Sequence, residues 1–191
     1  MKLGNFLWVT LAIAGANYNL PLYSLESDLQ QKDHCTIELI SEAAAIQPWK
    51  SFMVGIQIKM EPGWHTYWRD PGDSGMPTRV KWILPEGFNA GEIQWPVPKR
   101  FSDEMVTNFG YEEEVILLTE ISPPESLAVG TEVPVTAKVS WLLCKDICVP
   151  EEAELTLRLP VAETSRLHPE WSRVIQETRR QIRKGEDNES D

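Results

Sequence analysis

The chain has 191 residues, a formal net charge of −11, 42% hydrophobic residues, 14 prolines, 8 tryptophans and 3 cysteines. That length suits one domain with a tail and buries a core without needing disulfide staples. An excess of 29 carboxylates over 18 Lys and Arg excludes nucleic acid as a partner, since no extended positive surface meets phosphates, and the aromatic content excludes a disordered chain.

Lys2 precedes an apolar run over residues 6–14, and Ala14-Gly15-Ala16 follows it. This pattern predicts a secretory signal over residues 1–16, cleaved after Ala16 or further along near Ser24. The run breaks at Asn17-Tyr18-Asn19, short of the roughly 20 apolar residues that cross a membrane. No membrane span is expected in the mature chain, which then lies in an oxidising compartment where paired cysteines form disulfides.

A folded unit is expected over residues 33–161. Phe52, Val54, Ile56, Ile58 and Met60 alternate with Met53, Gly55, Gln57 and Lys59, the period of a strand with one buried face. Val133, Val135, Ala137, Val139, Trp141 and Leu143 repeat the pattern, as do Leu155, Leu157, Leu159 and Val161. Shorter strands are expected over residues 36–40, 80–84, 92–95 and 114–121. Breakers at Pro62-Gly63, Pro71-Gly72, Pro85-Glu86-Gly87 and Pro123-Pro124 separate them. Short strands with Pro and Gly turns and no helices between them predict an all-β antiparallel sandwich and disfavour a thioredoxin-type βαβ sheet.

After Pro160 the period becomes helical. Leu167, Trp171, Val174, Ile175, Thr178 and Ile182 share one face, predicting an amphipathic helix over residues 165–184, with Pro169 in its first turn. Arg179, Arg180, Arg183 and Lys184 then gather near its C-terminal end, where the helix dipole favours cations. The helix is expected to pack on the sandwich; docking onto another protein or a membrane surface is the alternative. Residues 185–191 read as a solvated tail.

Cys144-Lys145-Asp146-Ile147-Cys148 carries the chemistry. Continuing the alternation of 133–143 by one step turns Cys144 away from the core and makes it reachable, and a tight turn brings the two cysteines within bridging distance if their Cβ atoms converge. A five-residue loop removes only about 2 kcal/mol of unfolded-state entropy, so the bridge is a weak staple. Redox exchange and a structural bridge both remain open on spacing alone, and thiolates with His34 or His65 offer a soft-metal alternative without recognisable ligand spacing. Cys35, at the head of the 36–40 strand, is expected to be a buried small hydrophobe.

The segments Pro62-Gly63-Trp64-His65-Thr66-Tyr67-Trp68-Arg69-Asp70-Pro71-Gly72-Asp73-Ser74-Gly75-Met76-Pro77 and Trp141-Leu142-Leu143-Cys144-Lys145-Asp146-Ile147-Cys148-Val149-Pro150 carry a resemblance. Over roughly Cys35 to Pro160 the chain resembles the periplasmic N-terminal domain of DsbD thiol:disulfide interchange proteins, and more closely the ScsB-like branch associated with suppression of copper sensitivity. The resemblance implies an immunoglobulin-like sandwich in the periplasm, taking electrons from a membrane-embedded donor and reducing disulfides of periplasmic thioredoxin-like proteins. It implies that Cys144 and Cys148 are the redox pair, that Cys148 forms mixed disulfides with partners, and that Cys144 resolves them. It places a cap loop at Asn108-Phe109-Gly110-Tyr111, with Phe109, or Tyr111 one alignment step away, shielding the pair. No cofactor or metal is implied. Ending at Asp191 without a transmembrane or C-terminal thioredoxin domain, the chain is expected to use a separate donor protein.

Lys145 favours a nearby thiolate and Asp146 opposes it. Pro and Gly around Trp64 and Trp68 read mainly as turn formers, with the tryptophans in the core or at its rim. The alternatives are a non-catalytic immunoglobulin-like binding module with a structural bridge or a copper-holding thiol pair, and a carbohydrate binder stacking sugars on exposed tryptophans.

Overall fold

The computed structural model describes residues 28–102 and 106–189; the expected signal over residues 1–16 lies outside them. The chain runs through β1 (Asp28–Gln31), β2 (Cys35–Ser41), β3 (Ala43–Ala45), β4 (Phe52–Met60) and β5 (His65–Gly72). Then come β6 (Arg79–Ile83), β7 (Asn89–Ala90), β8 (Lys99–Ser102), β9 (Thr107–Glu112) and β10 (Glu114–Ser122). A long hairpin, β11 (Glu132–Cys144) and β12 (Cys148–Pro160), precedes β13 (Arg166–Leu167) and α1 (Trp171–Glu189).

One sheet is ordered β1-β2-β4-β10-β7 and the other β12-β11-β5-β9-β8, with β6 also paired to β11, while β13 and β3 form a small ribbon. The pairings are antiparallel. The architecture is an all-β, immunoglobulin-like sandwich with a C-terminal helix. Ile37, Leu39, Val54, Ile56, Ile58 and Leu117 of the first sheet share a core with Val135, Val139, Trp141, Leu143 and Leu155 of the second, as alternation across two facing sheets requires.

The first sheet is covered on both sides. Ile40, Met53, Ile116 and Leu118 project from its outer face and pack under Ile175 and Ile182 of α1. This corrects the expectation of one buried face for residues 51–60: Met53, Gly55 and Gln57 are buried as well, because the helix lies over that side.

Four further expectations change. The sandwich starts before residue 33, since β1 pairs with β2 along its edge. The 92–95 strand reduces to an isolated bridge between Gln94 and Leu118. The helix begins at Trp171, not at 165, because Arg166 and Leu167 pair with Ala45 and Ala43 and leave Leu167 61% exposed. The His168 ring then caps the helix, its Nδ1 accepting backbone N–H bonds from Glu170 and Trp171 at 3.2 and 3.1 Å. At the other end, residues 185–189, expected in the tail, continue the helix. Arg179, Arg180, Arg183 and Lys184 therefore lie inside it and gain nothing from its terminal dipole; buried Ile182 anchors these turns to the sheet.

Candidate functional site

The β11–β12 ladder runs without a break from Glu132 opposite Pro160 to Cys144 opposite Cys148. Lys145, Asp146 and Ile147 form the turn, in which the Lys145 N–H donates to the Ile147 carbonyl at 3.0 Å. The two cysteines are thus the closing pair of the hairpin, with Cα atoms 4.1 Å apart and a disulfide between them. β12 starts at Cys148, well before the 155–161 alternation.

The two sulfur-bearing residues differ in access. Cys148 is exposed, and Ile147 beside it is 65% exposed. Cys144 is only 1% exposed, which corrects the expectation that it is reachable. Strand alternation sets its side chain on the face opposite core residue Leu143, but Cys144 sits between two strands, with Cys148 on one side and His65 of β5 on the other. Facing away from the core is therefore no guarantee of contact with solvent.

The segment after Pro62 packs beside this hairpin. Lys145 Nζ donates to the Pro62 carbonyl at 3.4 Å, and its stem lies so close to Gly63 that an added Cβ would stand 3.0 Å from Cε. His65 pairs with Cys144 and with Glu112 of β9, so these three side chains share the outer face of the second sheet. His65 Nε2 lies 3.4 Å from Tyr67 Oη, and the Phe101 ring of β8 is 5.2 Å away, tilted by 32°. Desolvation among these rings lowers the His65 pKa, against the pull of Glu112. Glu112 in turn is paired with Lys99 at 3.2 Å.

Tyr67 is buried, and burial raises its pKa, keeping the phenol protonated. The loop after β5 lies across its ring: a Cβ on Gly75, whose φ is +93°, would sit 2.3 Å from Tyr67 Cε1. Only glycine fits that contact and that backbone conformation together. Asp73 and Ser74 tie the loop to β9, Asp73 Oδ2 accepting from the Thr107 N–H at 2.8 Å and the Ser74 N–H donating to Asn108 Oδ1 at 3.0 Å. Asp73 is a tether.

The structure brings neither Phe109 nor Tyr111 to the disulfide. Glu112 shares the His65 and Cys144 face, so strand alternation turns Tyr111 and Phe109 to the opposite one. Tyr111 is a core residue whose hydroxyl donates to the Pro96 carbonyl at 2.7 Å; desolvation raises its pKa, partly offset by Arg69. Phe109 is half-buried with its ring edge-on to Trp68 at 6.3 Å. Among the described residues, the aromatic side chains Tyr67 and Phe101 stand beside His65 on the Cys144 side, and neither figured in the expected cap. His65 was legible only as a stray possible ligand, because its placement depends on a pairing between segments almost eighty residues apart.

The other candidates fall into structural places. Trp64 lies in the core, stacked on His34 at 4.0 Å, and Trp68 packs on the core under Arg69, 4.8 Å from its ring centroid. Neither provides a sugar platform. His34 pairs with Glu61 at 3.1 Å, and among the described residues no three His, Cys, Asp or Glu are grouped to hold a metal. Cys35 is buried opposite Met60; desolvation, then the Glu151 charge, pushes its thiol up to about 11.

The family model for the N-terminal domain of the thiol:disulfide interchange protein DsbD matches residues 37–160. Among solved structures, the N-terminal periplasmic domain of ScsB from Proteus mirabilis superposes with a TM-score of 0.58 at 17% identity, covering 80% of this chain and 57% of that one. The chain therefore spans less than two thirds of that domain, and the likeness is one of fold. The reduced DsbD N-terminal domain of Neisseria meningitidis gives a TM-score of 0.35 at 15% identity, over 68% of this chain and 89% of that one. No curated protein sequence matches the chain.

Proposed function

The chain belongs to the family of DsbD N-terminal domains, a family of thiol:disulfide interchange, and from that premise we propose that it passes reducing equivalents through Cys144 and Cys148 to disulfides of partner proteins. The observation that carries this reading is the closing disulfide of the β11–β12 hairpin, with Cys148 exposed and Cys144 buried. An incoming thiolate attacks the sulfur it reaches, and exchange proceeds through a mixed disulfide at that sulfur.

In the reducing direction, the Cys148 thiolate attacks a partner's disulfide. A Cys148–partner bond forms and one partner sulfur leaves as thiolate. Cys144 then attacks the Cys148 sulfur, the intramolecular disulfide re-forms, and the partner departs as a dithiol carrying two electrons. A membrane-embedded donor restores the reduced pair, and periplasmic thioredoxin-like proteins are the acceptors. The reading places the protein in the periplasm; none of the described helices is long and apolar enough to cross a membrane.

Trapping tests it. Cys144→Ser removes the resolving thiol, so incubation with a periplasmic extract should yield mixed disulfides through Cys148, identified by mass spectrometry of the linked peptides. Adducts formed only through Cys144 in the reciprocal Cys148→Ser variant would reverse the roles. Adducts from neither would reduce the pair to a structural bridge.

A further inference from the structure

We propose that His65 is the proton acceptor for Cys144 in the resolving step, taking the thiol proton as Cys144 attacks the mixed disulfide and returning it to the departing partner sulfur. The inference rests on the exchange reading above and adds to it a group outside the cysteine pair. In the bridged hairpin Cys144 is buried, and a cysteine released into such a place has its thiolate disfavoured by desolvation. Yet the thiolate is the nucleophile. With Cys144 buried in the hairpin, a side chain facing it is the nearest acceptor for the proton.

His65 is the side chain so placed. It stands directly across the ladder from Cys144 on the same face, where facing Cβ atoms lie about 4.5–5.5 Å apart. In the tautomer whose Nε2–H donates to Tyr67 Oη, 3.4 Å away, Nδ1 is left bare as an acceptor. Among the described residues, the charged and titratable groups that face it are Glu112 of β9, held by Lys99 of β8 at 3.2 Å; Tyr67 on its own strand; and Cys144 across the ladder, bonded to Cys148. Burial favours the neutral imidazole, the form that accepts a proton. Phe101, 5.2 Å away, and Tyr67 close the ring in on two sides.

The Cys144 S–H proton passes to His65, and the Cys144 sulfur bonds to the Cys148 sulfur. The Cys148–partner bond breaks, and the partner thiolate takes the proton from the imidazolium. No other co-reactant is needed.

The test uses the reduced protein with excess Ellman's reagent in stopped flow. Attack by Cys148 releases one coloured thiolate and resolution by Cys144 releases the second. In the unaltered protein the logarithm of the second rate should rise with pH and level off at or below the ordinary histidine value of 6.5, since the His65 pKa is lowered. In His65→Gln it should keep climbing with pH, as thiolate alone reacts, and at neutral pH it should be about 10²-fold slower, the usual contribution of a positioned base. The first rate should stay the same, and added imidazole should restore the second in His65→Ala. A second rate that climbs past this range in the unaltered protein, or equals that of His65→Gln, overturns the inference while leaving the exchange reading intact. Absence of both phases in the unaltered protein overturns both.

Discussion

Truncating Ile175 should cost stability while leaving the redox chemistry untouched. Ile175 is fully buried between α1 and the outer face of the first sheet, against Ile40, Met53, Ile116 and Leu118. Replacement by alanine removes about three buried carbons, or about 2.4 kcal/mol of transfer free energy. The residual cavity adds about 1 kcal/mol, and the better helix propensity of alanine returns about 0.4 kcal/mol. A net loss of about 3 kcal/mol leaves a domain of ordinary stability folded. Urea unfolding of the oxidised protein should show a lower midpoint at an unchanged slope. The cysteine hairpin belongs to the other sheet, so α1 packs alike on the oxidised and reduced forms and the loss applies to both. The Cys144–Cys148 midpoint potential should therefore move by less than about 30 mV, equivalent to about 1.4 kcal/mol for two electrons. A stability change under about 1 kcal/mol would refute the burial reasoning, and a larger shift in potential would show that the helix senses the redox state.

Other perturbations separate the parts of the site. Gly75→Ala should cost about 1–3 kcal/mol and lower the thermal midpoint, because the new Cβ meets the Tyr67 ring at a φ of +93°; a midpoint unchanged in calorimetry would count against that contact. Phe101→Ala should speed modification of the reduced pair by a small thiol reagent and Phe109→Ala should not, since Phe101 stands against His65 and Phe109 against Trp68; the reverse order would restore Phe109 as the shield. Stability should fall on acidification, because burial lowers the His168 pKa and its neutral ring caps α1. The contribution is fully present above the unfolded value of 6.5 and is lost as pH falls through the lower folded value; in urea unfolding at stepped pH, His168→Gln should flatten this dependence, and an equal fall in the variant would assign it elsewhere.

Local pattern carried the long strands and failed where pairing is non-local. The alternations in 133–143 and 155–161 correspond to β11 and β12, because each buries one face against the core. The start of β12 was hidden by Pro150, which reads as a breaker; on the outer strand of its sheet a missing N–H is tolerated. β5 was hidden by Pro71 and Gly72, whose composition reads as a turn although the residues extend the strand. Covalent pairing of Cys144 with Cys148 follows from a short turn. The burial of Cys144 and its pairing with His65 do not, since both depend on β5 coming alongside β11. The side of β9 on which Phe109 and Tyr111 lie has the same origin: a register that sets Glu112 opposite His65 decides which side of β9 faces the disulfide, and nothing within β9 itself records it.

The midpoint potential of the Cys144–Cys148 pair, measured by free-thiol titration across graded thiol–disulfide buffers, decides between an exchanging pair and a structural bridge. Interchange requires a pair that is reduced and reoxidised within the range of exchanging dithiols, above about −300 mV, and the protein should titrate there with two thiols appearing together. A pair that stays oxidised below about −300 mV would be a structural clasp on the hairpin, and would contradict the claim.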